Sequence, residues 1–385
     1  MVYLNNASTT EINKDVIKDF MWCAKNIWHN PSDVSQEGFN SKNIIKEAQI
    51  KIASVINANP EEIVFTSGAS EANNWAIKGY LDRHPGVKTI ITTKTEHPSV
   101  LNTCRYMESK GYKVYYAPVD NYGRVNIQKL KDMIVNNNLL NSFVSIMMAN
   151  NEIGSLNDIE TISKVVHKYG CVLHVDAVQA FMHTEIDVDK IGVDMMSTSF
   201  HKFGGFKNCG FLYIKNGIEL TPLIHGGSQF DNKRAGTENI PMIYAIGNHI
   251  QRLNDDMFVI LERTKRISKY IINQVYDRCG DLCNVYLNGH PSKKIHNNLS
   301  FTFEGINASN LITLLELREI YVSAGSACCS GEKTPSRVLK AIGLSNEEAF
   351  STIRVSINHN TTMDEVDEFV DALVECIESL KIMLD

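Results

Sequence analysis

From about residue 45 to residue 215, short apolar runs alternate with stretches in which apolar side chains recur every three to four positions. The runs at 62–66, 89–93, 114–117, 143–149, 171–175, 194–199 and 210–214 predict seven strands. Several, such as FVSIMMA at 143–149, are apolar without a break, the pattern of a strand covered on both faces. Segments 42–57, 71–83, 99–110, 127–136 and 159–169 carry the helical period. This alternation predicts an α/β fold, a mostly parallel seven-stranded sheet flanked by helices. Sheets of this kind bind ligands in the loops beyond the carboxyl ends of their strands.

After about residue 250 the texture changes. A long helical stretch at 251–279 leads to strands near 299–303, 320–323 and 353–357, and a helix over 363–383 closes the chain. The expectation is a large domain over 13–250 and a smaller α+β domain made of 1–12 plus 251–385. No internal repeat interrupts either part.

Composition narrows the possibilities rather than choosing among them. With 385 residues, 43% hydrophobic and 21% charged, the chain has ample material for a core. Lysines and arginines number 38 against 44 acids, a formal charge of −6, which gives no reason to expect nucleic acid or an anionic membrane as a direct partner. No apolar run approaches the roughly 20 residues of a membrane span, and the first residues lack a signal-peptide pattern. A cytoplasmic location is the expectation. The nine cysteines are scattered without framework spacing and read as reduced thiols. Neither His201 with Cys209 nor Cys279 with Cys283 has the paired spacing of a structural zinc site, so no metal is expected.

Three segments sit where such a fold places chemistry. In Ser199-Phe200-His201-Lys202 a lysine directly follows a strand; alone it reads equally as a surface lysine at a loop mouth. In His174-Val175-Asp176 an aspartate ends an apolar strand, either as a helix cap or as a carboxylate holding a positive charge. In Thr66-Ser67-Gly68-Ala69-Ser70-Glu71 small residues open a helix, as a capping box or as a phosphate cradle. Each is weak by itself. Together, in that order and each at a strand end, they provide a phosphate anchor, an acid for a ring nitrogen and an amine for an aldehyde, which are the requirements of pyridoxal phosphate. His97, after the strand at 89–93, adds an aromatic that can stack on such a ring.

With these residues in place the sequence resembles the cysteine desulfurases, the NifS/IscS-like branch of the class V aminotransferases within the fold-type-I pyridoxal-phosphate enzymes. The resemblance runs nearly end to end. It rests on the segments above and on Tyr3-Leu4-Asn5-Asn6-Ala7-Ser8-Thr9-Thr10, Asn30-Pro31-Ser32, Thr95-Glu96-His97, Asn150-Asn151-Glu152, Arg234-Ala235-Gly236-Thr237-Glu238-Asn239, Gly325-Ser326-Ala327-Cys328 and Ile353-Arg354-Val355-Ser356. It implies that Lys202 captures the cofactor aldehyde and later moves the substrate Cα proton. It implies that Asp176 keeps the ring nitrogen protonated, that Gln179 donates to the ring oxygen and that His97 stacks on the ring. Ala69, Ser70, Ser199 and His201 would hold the phosphate, and Thr237 would reach the phosphate of a neighbouring subunit in a homodimer. Asn151 would lie between cofactor and substrate, and Arg354 would grip the carboxylate of L-cysteine. Cys328 would take the sulfur as a persulfide, release alanine and pass the sulfur to an acceptor protein: an iron–sulfur scaffold, a tRNA-thiolating enzyme or a sulfur carrier. Its neighbour Cys329 reads as a bystander or as a resolving thiol.

The match departs from the family in places. Asn5-Asn6 stand where relatives usually have Asp-Tyr, Ser35 and Met148 where histidines are common, Met182 where glycine is frequent, and Phe203 to Asn208 lack the usual Tyr-Gly-Pro-Lys-Gly pattern. A selenocysteine lyase or a β-lyase acting on cysteine derivatives would share every cofactor residue. A decayed, non-catalytic scaffold is disfavoured because Lys202, Asp176, Arg354 and Cys328 are all present.

Overall fold

The computed structural model describes residues 1–324 and 334–382. Its strands, in chain order, are β1 (Val2–Tyr3), β2 (Ile63–Thr66), β3 (Thr89–Thr93), β4 (Lys113–Ala117), β5 (Phe143–Met147), β6 (Val172–Asp176), β7 (Met195–Ser197), β8 (Gly210–Ile214), β9 (Val285–Asn288), β10 (Asn298–Phe303), β11 (Ile320–Tyr321) and β12 (Thr352–Ser356). β2 to β8 form one seven-stranded sheet in the order β2-β8-β7-β6-β5-β3-β4. β8 alone runs against its neighbours, so the other six point their carboxyl ends the same way.

Every residue of β5 is buried because helices cover both faces of the sheet, which is why its sequence shows no alternation. Next to β5, β6 carries a core histidine held neutral by burial. His174 is bonded on one side to Ser145 at 2.9 Å and on the other to Ser197 at 2.8 Å, tying β5, β6 and β7 together. Burial pushes its pKa down to about 3. The flanking helices start on side-chain caps, Asn126 before Ile127–Asn136 and Asp158 before Ile159–Lys168, each accepting from an amide of the first turn.

Two details differ from the sequence expectation. A helix at Lys14–Asn26, absent from the reading, packs on the helix Ile240–Asp255. The long helical stretch starts earlier and is two helices, Ile240–Asp255 and Met257–Cys279, which meet at Asp256, where ψ is 6° and the helical run breaks.

Apolar cores form on both faces of the seven-stranded sheet and in the second part of the chain. One face packs Phe65, Ile146 and Val175 in a core that extends through Ile240, Ile246 and Leu253, and the other packs Val64, Phe143 and Leu212 against Trp75. A further core gathers Val2 and Leu4 with Ile271, Phe301, Ile353, Phe369 and Leu373 around the three-stranded sheet β12-β10-β9. The amino-terminal segment belongs to both parts. β1 pairs in parallel with β11, and beyond it Asn6 donates its backbone N–H to Ser356 while Leu4 accepts from the same residue. The chain then crosses to the large sheet, where Thr10 donates its N–H to the His201 carbonyl. Among the described residues no helix is long and apolar enough to cross a membrane.

Candidate active site

A cavity of about 760 Å³ opens at the carboxyl ends of the parallel strands. It is lined by Ala69, Ser70, His97, Asn151, Asp176, Gln179, Ser199, His201, Lys202 and Arg354. Residues separated by up to 285 positions are thus brought to one place, most of them just beyond the carboxyl ends of the large sheet's strands, with Arg354 reaching in from the middle of β12. Thr237 is exposed and does not line this cavity. Cys328 and Cys329 lie outside the described residues.

The anion-binding end is built by backbone. Gly68 caps the helix Ala69–Arg83 at φ +126°, a conformation that side-chain-bearing residues rarely adopt. Gly210 faces it so closely that a Cβ there would lie 2.9 Å from the Gly68 Cα. The helix therefore presents its first-turn amides, together with the positive end of its dipole, to the cavity between Ser67 and Ser199. Glu71 does not cancel this field freely. Its carboxylate accepts from the Ser67 amide at 2.7 Å and from Arg234 Nε at 3.0 Å, and these bonds hold its pKa below the usual range against the opposing effect of burial.

Asp176 is 5% exposed at the end of β6. Its carboxylate accepts from Asn73 Nδ2 at 2.8 Å and from the Val178 amide at 3.1 Å. Asn73 also bonds Ser99, whose hydroxyl in turn contacts His97 Nδ1 at 2.8 Å. Asn73 was not singled out in the sequence; nothing marks it there, because its partner is 103 positions away. His97 caps the helix Pro98–Ser109, and the desolvating surroundings favour its neutral form. Gln179, 4% exposed, donates to the Ala7 carbonyl, and its amide oxygen has no partner among the described residues.

Lys202 follows β7 in a single 3₁₀ turn. Its Nζ donates to the carbonyls of Ala7 at 2.8 Å and Ser8 at 2.7 Å. Burial first and the nearby Arg354 second push its pKa down to about 8, opposed by Asp176. The neighbouring His201 is bonded to the Thr9 hydroxyl, and desolvation pushes it to about 4. Arg354 enters from the other sheet on β12, 6% exposed. Its Nη1 donates to the Asn151 carbonyl at 2.8 Å, and its Nη2 to Asn5 Oδ1 at 2.9 Å and Ser8 Oγ at 2.8 Å.

Glu96 is the second group that the sequence offered only as part of a motif. It is 2% exposed, beneath His97, and its Oε1 accepts from the Thr93 hydroxyl at 2.8 Å and the Met147 amide at 3.0 Å. Its other oxygen has no partner among the described residues. Burial raises its pKa to about 8, with Asp176 adding to the rise.

These residues suit pyridoxal phosphate on chemical grounds. A helix terminus with close backbone approach takes a phosphate, a buried carboxylate with fixed donors takes a protonated ring nitrogen, and an amine of depressed pKa takes an aldehyde. Among the described residues nothing bonds the buried Gln179 amide oxygen, so this side chain keeps polar capacity that they leave unused.

Comparison with known proteins agrees. The aminotransferase class-V family model matches residues 2–369. The cysteine desulfurase IscS of Methanosarcina thermophila is 38% identical over 384 residues, covering 99% of this chain and 93% of that protein. The cysteine desulfurase IscS of Dictyoglomus turgidum is 40% identical over 381 residues, covering 99% and 95%. Among solved structures, a NifS-like protein is similar with a TM-score of 0.90 and 31% identity, covering 98% of this chain and all of its own. SspA in complex with cysteine is similar at 0.81 and 33%, covering 94% and 100%.

Proposed function

The chain belongs to the aminotransferase class-V family, and from that premise we infer that it is a pyridoxal-phosphate-dependent L-cysteine desulfurase. The observation that carries this reading is the single cavity shared by the helix terminus at Ala69, the buried Asp176, the depressed Lys202 and the two-pronged Arg354. Pyridoxal phosphate supplies an electron sink for bonds broken at the substrate. Ala69, Ser70, Ser199 and His201 would hold its phosphate, Asp176 its ring nitrogen, Gln179 its ring oxygen, and His97 one ring face.

The chain's own residues do the rest. Arg354 binds the α-carboxylate of L-cysteine through its paired N–H groups, and Asn151, whose carbonyl fixes that guanidinium, sits beside it. Lys202, with a pKa near neutrality, accepts and returns a proton at Nζ without leaving the cavity. The thiol of Cys328 attacks the substrate sulfur. The C–S bond of cysteine breaks as an S–S bond forms; Cβ keeps the electron pair of the broken bond and takes the proton that the Cys328 thiol gives up, becoming the methyl group of alanine, and Cys328 is left as a persulfide. That sulfur is delivered to an acceptor protein, an iron–sulfur scaffold, a tRNA-thiolating enzyme or a sulfur carrier. The working form is a cytoplasmic homodimer, with Thr237 turned toward the neighbouring subunit's phosphate. The names of the curated relatives favour this activity over selenocysteine lyase or β-lyase chemistry.

The test is to incubate holoenzyme with L-cysteine and a thiol reductant and to quantify alanine and sulfide together. Mass spectrometry then examines the peptide holding Cys328. Equal alanine and sulfide, with one extra sulfur on Cys328 when reductant is omitted, is the expected result. A Cys328→Ala variant that still makes alanine at the wild-type rate rejects the persulfide route.

A further inference from the structure

The turn that carries Lys202 is tied down by two separate elements. The first is the amino-terminal segment. The Thr10 hydroxyl donates to the His201 carbonyl at 3.0 Å and accepts the Gly204 amide at 2.7 Å, and the Asn13 amide donates to the Gly204 carbonyl at 2.9 Å. The second is the helix Ile240–Asp255, whose His249 places Nε2 2.8 Å from the Phe203 carbonyl. A carbonyl oxygen only accepts, so Nε2 carries the proton. The imidazole is 2% exposed and burial pushes its pKa down to about 4, which leaves it neutral with that one N–H committed. Its ring lies nearly parallel to that of Phe203, with planes 10° apart. The approach depends on the residue between them: Gly204 has φ +91°, and a Cβ there would lie 3.0 Å from Nε2. This is the stretch, Phe203 to Asn208, that lacks the usual pattern of the family.

We propose that His249 is a positioning residue for Lys202: its Nε2–H, bonded to the carbonyl of the very next residue, anchors the lysine's turn to the core of the large sheet. The inference rests on Lys202 being the amine that takes the cofactor aldehyde, and it deepens that reading. Ile246 and Ile250, on either side of His249 in its helix, pack in the same core as Val175 and Ala177, the neighbours of Asp176. The bond therefore fixes the lysine to the scaffold that also holds the carboxylate for the ring nitrogen.

The test compares wild-type holoenzyme with three variants. His249→Met and His249→Phe fill the space without an N–H, while His249→Gln keeps a donor at similar reach. Two properties are read: the kcat and KM for L-cysteine, and the rate at which hydroxylamine bleaches the visible band, which needs no turnover. In the Met and Phe variants kcat falls about tenfold, as for loss of one buried hydrogen bond. KM for L-cysteine stays near the wild-type value, and bleaching accelerates severalfold. The Gln variant restores kcat and the bleaching rate. Wild-type kcat and bleaching in the Met and Phe variants overturn the proposal. So does a Gln variant as impaired as they are, since the ring would then act by packing alone. A wild type that makes no alanine fails the desulfurase reading instead, and the bleaching rates still test the role of His249.

Discussion

Glu96 allows a quantitative test of how the site region is built. Its pKa rises from the ordinary 4.5 to about 8 because its carboxyl is buried, with no cation beside it among the described residues. In the unfolded chain it ionises near 4.5; in the native state it keeps its proton until about 8. Below pH 4.5 both states are protonated and there is no penalty. Between those values the native state binds the extra proton, so stability falls as pH rises; above 8 the loss stays constant. Linkage over these two pKa values gives a loss of about 2–3 kcal/mol from this one group between pH 6 and pH 9. Glu96→Gln removes the titration but keeps the geometry. The Gln oxygen can still accept from Thr93 and Met147, and its amide nitrogen takes the position of the oxygen that has no partner. Denaturant unfolding of wild type and variant, at equal cofactor loading, is measured at pH 6 and pH 9. The difference between the two proteins should move by about 2 kcal/mol in favour of the variant at the higher pH. Parallel pH dependences would refute the claim that this carboxyl is neutral in the folded protein.

Two other outcomes follow from the geometry. Asn73→Ala removes the side-chain donor to Asp176; a hydrogen bond to a charged group contributes about 1.5–3 kcal/mol, so cofactor retention, followed by loss of the visible band on dilution, should weaken by about tenfold or more. Met182→Gly relieves a left-handed backbone at φ 62°, a cost of about 1–2 kcal/mol, but deletes a buried side chain in the main core, which costs about 2–5 kcal/mol. Denaturation should show a net loss of about 1–3 kcal/mol, and a gain in stability would contradict the packing argument.

The sequence made the sheet legible where burial was two-sided. The strands at 89–93 and 210–214 have the same bounds in the structure as in the pattern, because short runs of β-branched, aromatic and aliphatic residues flanked by polar or glycine positions have few alternatives. The helix Lys14–Asn26 escaped notice because its apolar residues do not mark its buried face: Val16 and Cys23 are buried while Ile17, Met21 and Trp22 are largely exposed. At the site, the residues that line the cavity were readable as motifs at strand ends. Those that hold them were not. Asn73 acquires its role only when β6 is laid beside its helix, and the isolation of Glu96 from any cation is a property of three-dimensional surroundings. Position 182 was readable only as a departure from relatives; the left-handed φ explains why glycine is frequent there.

The bond from Arg354 to Asn5 spans 349 positions, and β1 is stitched to β11 near residue 320. Asn5 is thus synthesised 349 residues before the guanidinium it bonds. The seven-stranded sheet, complete by residue 214, can form on a nascent chain before β12 exists, but the seat of Arg354 cannot. A chain that stops between the two carries the large sheet without that guanidinium.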